Sequence, residues 1–68
     1  MNKFKERFRE LRIEKNLSRK QIAQILFVSE RLISYWEDGK RECSFDMLMK
    51  ISYLFDVSID YLLGKLDF

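Results

Sequence analysis

The stretch Ile25–Gly39, ILFVSERLISYWEDG, decides the reading of this chain. It runs from an apolar segment through a break at Phe27 and Val28 into Ser29, and then into a short helix closed by Gly39. At about 100° per residue, Leu32, Ile33 and Trp36 share one sector of that helix, whereas Arg31 and Ser34 occupy the opposite one, flanked by Glu30 and Tyr35. The first set is the packing face. The second is a row of hydrogen-bonding side chains on a helix too short to stand alone.

Ser29 is a good N-cap, and Gly39 supplies the positive φ at which a helix stops. Immediately upstream, Ser18 and Gln21 form a capping-box pair that opens another helix, with Ile22, Ala23 and Leu26 inward. Only about three residues separate the two helices, so they cannot be collinear, and Ala23 is small where the next helix must cross. The expected helix-turn-helix covers about residues 18–38.

The remaining chain also reads as short helices. Phe4, Phe8 and Leu11 mark the packed face of a first helix over about Lys3–Lys15, ended by Asn16 in the left-handed region. A fourth helix after Ser44 carries Phe45, Leu48, Ser52 and Phe55 with Ile51 beside them, and a fifth after Ser58 carries Ile59, Leu62 and Leu63 before Gly64. No segment alternates convincingly as a strand, proline is absent and no linker or repeat interrupts the 68 residues. The expectation is an all-α class, a single compact five-helix domain over residues 1–68 with no room for a separate sensor.

Composition sets further bounds. With 47% apolar and 15% aromatic residues, the chain can bury a core. A lone cysteine, Cys43, and no histidine leave no disulfide and no zinc-like cluster, so no metal and no cofactor are expected. The charged N-terminus and the lack of any apolar run near the ~20 residues of a membrane span point to a cytoplasmic protein with no membrane partner. Acid pairs such as Glu37 with Asp38, or Asp56 with Asp60, lack a nucleophile-and-base arrangement and read as caps and solvated surface, not as an enzyme's groups.

The net charge of +2 hides an asymmetry: residues 1–20 carry +5, residues 21–41 balance and residues 42–68 carry −3. A polyanion would therefore meet one side only. On the outward face of the third helix, Arg31 can donate twice to guanine O6 and N7, Glu30 can accept from cytosine N4, and Ser34 and Tyr35 can do either. Such a face suits the edges of bases in a major groove. Arg19 and Lys20, in the first turn of the second helix, together with Ser29, Lys40 and Arg41 around the third, suit phosphates.

In that register, LRIEKNLSRKQIAQILFVSERLISYWEDGKRE followed by LMKISYLFDVSIDYLLG resembles the lambda-repressor-like, Cro-type (XRE) helix-turn-helix family of prokaryotic transcription regulators, from about Phe4 to Gly64. The match runs in order through Leu11, Arg12, Lys15, Leu17, Ser18, Ala23, Val28, Ser29, Ile33, Trp36, Glu37, Gly39 and Arg41. The resemblance implies a regulator, usually a two-fold dimer on an operator, with base contacts at Glu30, Arg31, Ser34 and Tyr35 and phosphate contacts at Arg19, Lys40 and Arg41. It also implies an ion pair between Arg12 and Glu37 that ties the first helix to the end of the third.

Several positions depart from that pattern. Arg19 replaces a frequent glutamine, Cys43 a frequent proline and Asp56 a frequent glycine. Phe27 stands where a positive φ favours glycine, so either the backbone is strained by roughly 1–2 kcal/mol or the turn is reshaped with the ring in a core gap. Apolar residues in excess of one small core, among them Ile13, Met47, Tyr53, Leu54, Leu66 and Phe68, point to a homodimer interface, with Tyr53, Leu54, Leu66 and Phe68 as its candidates. The reading is a sequence-specific double-stranded DNA-binding regulator, a dimeric repressor of phage, mobile-element or chromosomal origin on an inverted-repeat operator. The rival is a protein-interaction module of the same fold, such as an antitoxin or partner-binding regulator.

Overall fold

The computed structural model describes residues 2–67. Five helices follow in order: α1 (Phe4–Glu14), α2 (Arg19–Leu26), α3 (Glu30–Asp38), α4 (Phe45–Phe55) and α5 (Ile59–Leu63). Among the described residues there is no strand. Four of the five helices start on a serine, Ser18, Ser29, Ser44 and Ser58, whose hydroxyl accepts from the amide three residues on. At α2 the pair is reciprocal, with the Gln21 amide donating to Ser18 Oγ at 3.0 Å and the Ser18 amide donating to Gln21 Oε1 at 2.8 Å. At α1 the N-cap is Lys3, which makes no such bond, and Asn2 Oδ1 accepts from the Phe4 amide at 2.9 Å.

The core forms where α1, α3 and α4 converge. Phe8 sits at its centre, fully buried, stacked on Phe4 and edge-on to both Trp36 and Phe55, with ring centroids 5.4, 5.6 and 6.3 Å away. Such offset and edge-to-face pairs add to the stabilisation that burial alone provides. Ile22, Ile33, Ile51 and Leu62 fill the surrounding layer, also fully buried.

Phe45 and Met47 depart from expectation. Phe45, read as a core residue, is 85% exposed. It lies at the edge of the sector that buries Leu48, Ile51, Ser52 and Phe55, and at the first position of α4 no element covers it. Met47, counted as surplus, is instead half-buried against the core. Ile13 stays exposed as expected.

The α2–α3 turn resolves the question posed by Phe27. Its backbone takes the left-handed conformation, φ 58° and ψ 43°, and the Val28 amide bonds back to the Ala23 carbonyl at 3.0 Å. The turn therefore keeps a glycine-like geometry, and the Phe27 ring is 91% exposed, not lodged in a core gap. Asn16 and Asp56 adopt the same region at φ 58° and 55°, but short polar side chains tolerate it well. Phe27→Gly is expected to raise stability by about 1 kcal/mol, a gain of roughly 4–8 °C in melting temperature for a domain this small. An unchanged or lower melting temperature in a thermal scan would show that the turn carries no such strain.

Arg7 ties the C-terminal segment to α1. Its Nη1 donates to the carbonyls of Tyr61 and Leu66, both at 3.2 Å, its Nη2 lies 3.5 Å from Asp67, and the guanidinium stacks 4.2 Å from the Tyr61 ring centroid. Gly64 is required next to it for two reasons. Its φ is +87°, and a Cβ there would lie 2.8 Å from the side chain of Lys3.

Candidate nucleic-acid interface

The inner side of α3 is held at three places. Ser29 Oγ accepts from the Leu32 amide at 3.1 Å, and Gly39 closes the helix at φ 75°. Between them, Ile33 and Trp36 enter the core, and Glu37 joins α1 and α2 through an ion cluster. Arg12 grips the Glu37 carboxylate with two hydrogen bonds, Nε to Oε2 at 2.6 Å and Nη2 to Oε1 at 3.1 Å, and its Nη1 donates to the Leu17 carbonyl at 2.8 Å. Arg19 adds a third donor, Nε to Oε1 at 3.1 Å.

The Glu37 side chain has no solvent exposure, against 12% for Arg12 and 37% for Arg19. A carboxylate this deep is tolerable only when charged hydrogen bonds replace its water, and here three do. With both oxygens held by arginine donors, it reads as a structural group.

The residues expected to read bases fall on one side of α3. Glu30 and Arg31 are exposed at its first turn, and Ser34 and Tyr35 are half-buried behind them. Ser34 Oγ donates to the Glu30 carbonyl and receives Arg19 Nη1, both at 3.3 Å. That contact sets the first turn of α2 beside the middle of α3. Lys20 is exposed in that turn, and Lys40 and Arg41 are exposed just beyond α3, their amides donating to the Tyr35 carbonyl at 2.9 and 3.4 Å.

Arg19 occupies a different position from the one expected of a plain phosphate contact. Its guanidinium faces Glu37 and Ser34, and only part of it reaches solvent. The Arg12–Glu37 pair is present as the resemblance implied, but the second arginine on the same carboxylate was missed. So was Arg7, whose partners lie more than fifty residues away and leave no local pattern in the sequence.

The candidate dimer residues lie elsewhere. Tyr53 is 77% exposed on α4, Leu54 beside it and Leu66 beyond α5 are exposed to lesser degrees, and Phe68 lies outside the described residues. Among the described residues, no three His, Cys, Asp or Glu side chains group as a metal site would require, and no helix is long and apolar enough to cross a membrane.

Cys43 is half-buried, and burial pushes its thiol from 9.0 up to about 12. Alkylation by iodoacetamide at pH 8 is therefore expected to run roughly tenfold to a hundredfold slower in the folded domain than in urea, since the thiolate is the nucleophile. Equal rates would show an accessible, unperturbed thiol. Because folding raises this pKa, the protonated thiol's contribution to stability is whole below about 9 and is lost as the pH rises towards about 12.

Comparison with known proteins agrees with this geometry. The helix-turn-helix domain family matches residues 5–67. The HTH-type transcriptional activator BcrR of Enterococcus faecalis is 44% identical over 61 residues, covering 90% of this chain and 30% of BcrR. The HTH-type transcriptional regulator ImmR of Bacillus subtilis (strain 168) is 37% identical over 60 residues, covering 88% of this chain and 47% of ImmR. The crystal structure of a transcriptional regulator from Listeria innocua superposes with a TM-score of 0.91 at 30% identity, over 97% of this chain and 62% of that one. The chain thus spans from under a third to about two thirds of the length of these relatives. The chain belongs to the lambda-repressor-like (XRE) helix-turn-helix family of transcriptional regulators.

Proposed function

We propose that the domain is a sequence-specific double-stranded DNA-binding transcription regulator that acts as a homodimer on an inverted-repeat operator. The observation that carries this reading is α3 itself. Its inner side is fixed by Ile33, Trp36 and the Glu37 clamp, and its outer side offers Glu30 and Arg31 in the first turn with Ser34 and Tyr35 behind. A preorganised helix of this width fits a major groove, where Arg31 reads guanine and Glu30 accepts from cytosine N4.

Lys20, Ser29, Lys40 and Arg41 take phosphates on either side, and the partly exposed edge of Arg19 reaches one from within the Glu37 cluster. Arg41→Ala is expected to weaken all duplexes about equally and to reduce the salt slope by about one phosphate, in contrast to a base-reading residue. A change confined to one preferred sequence would move Arg41 into the readout set.

An inverted repeat takes two copies, one on each half-site. The longest extent of the domain is 28 Å, whereas half-sites lie about 34 Å apart, centre to centre. Tyr53, Leu54 and Leu66, with Phe68, supply the apolar surface for that pairing. Repression by occupying a promoter is the action that asks for nothing beyond DNA binding. The relative BcrR is named an activator, so activation is the alternative sign.

The exposed Phe27 and Phe45 favour a second reading, a partner-binding module such as an antitoxin. Salt separates the two. A duplex affinity that falls with a slope near −0.9 per neutralised phosphate supports the DNA reading, and salt-insensitive binding to a protein with no duplex binding supports the other.

A further inference from the structure

Beside the C-terminal end of α3 the domain holds a cavity of about 300 Å³, open to solvent on one side. Phe4, Trp36 and Leu48, nearly covered by the core, line it together with Phe45, which is 85% exposed. This accounts for an otherwise wasteful feature, an aromatic side chain left in water at the start of α4. Small-molecule sites are concavities of this size or larger, mostly apolar, with a few polar groups that orient the ligand.

The polar groups here are unbalanced in charge. Lys5 and Arg41 line the cavity, and Glu42 is the one carboxylate among the lining residues. The stem of Lys5 lies across Gly39, its Cδ 3.1 Å from where a Cβ would stand, so the close of α3 and the cation are held together. Cys43 contributes a neutral wall, its thiol kept protonated by burial.

We propose that this cavity binds a small apolar carboxylate, with its hydrocarbon part against Trp36 and Phe45 and its anionic head on Arg41 and Lys5. The regulatory consequence rests on the DNA-binding reading above. Arg41 serves a phosphate in that reading, so a carboxylate that occupies it competes with DNA, and by linkage DNA weakens the ligand by the same factor.

Trp36 is the single tryptophan of the chain, so its emission reports the site directly. The purified protein is titrated with octanoate and, separately, with octanol. Octanoate is expected to change the emission saturably and to bind about tenfold tighter than octanol, the worth of one charge-assisted hydrogen-bonded pair. Arg41→Gln should erase that preference. Phe45→Ala, a change at an exposed position that leaves the core intact, should weaken both ligands several-fold.

No saturable change, equal affinity for the alcohol, or an unaltered Phe45→Ala variant would each overturn the site. Duplex affinity is then measured with and without octanoate, and a several-fold loss is expected. Saturable octanoate binding with unchanged duplex affinity overturns the competition. Failure to bind any duplex while octanoate still binds overturns the operator reading and supports the ligand site.

Discussion

Glu37→Ala is expected to lower the unfolding free energy by about 3–5 kcal/mol, because it leaves two arginines facing a buried void. A small domain of this kind has little more than that to lose, and even the lower figure is a fall of roughly 12–24 °C in melting temperature. The asymmetry of the cluster makes the prediction sharp. Arg12 is nearly as buried as the carboxylate and also holds the Leu17 carbonyl, whereas Arg19 is more than a third exposed. Arg19→Met should therefore cost under about 1 kcal/mol, in the range of a screened surface pair. Urea denaturation of Glu37→Ala, Arg12→Met and Arg19→Met checks the order, and equal losses in all three would show that burial does not govern the cluster.

Arg31→Ala carries the second large effect, on recognition. Arg31 is exposed and its guanidinium has no hydrogen-bond partner among the described residues, so its donors are available to DNA at no cost in fold stability. Loss of one bidentate contact to guanine should cost about 1–3 kcal/mol on the best site and relax the preference at that position, while weak binding to unrelated duplexes stays the same. Competition binding against single-base variants of the site measures both effects. An affinity loss of equal size on every duplex would make Arg31 a phosphate contact instead. The neighbouring Glu30 sharpens this readout, since a carboxylate that finds no cytosine amino group is left facing phosphate.

The fold was legible because its signals are local. Serine caps, left-handed stops at Asn16, Gly39 and Gly64, and apolar spacing of three and four residues each operate within one turn, and the helices formed within a residue or two of the expected bounds. Phe45 was misread because its spacing from Leu48 is right for a packed face, but exposure at the first position of a helix depends on what covers it, and that lies outside the helix. Phe27 could be recognised as unsuited to its turn, yet whether backbone or ring yields is decided by how firmly Val28 and Leu26 anchor the two sides.

The site was legible in part. The outward face of α3 follows from the position of its core face, so the exposure of Glu30 and Arg31 could be read from the wheel, whereas Ser34 and Tyr35 are half-buried. Charge partners could not be read from the wheel, and the Arg12–Glu37 pair was expected only from the family resemblance. Arg19 belongs to both sets by residue type, and only the crossing of α2 over α3 brings it to Glu37 and Ser34. The same holds for Arg7, which links α1 to the C-terminal segment through carbonyls more than fifty residues away.

The most direct test of the central claim is selection from a pool of randomised duplex DNA by the purified protein, with Arg31→Ala run alongside and the retained sequences read. An enriched inverted repeat with half-sites about one helical turn apart, loosened at one position per half-site in the variant, is the predicted result. Retention with no enriched sequence, from protein shown to be folded, would contradict sequence-specific recognition by α3.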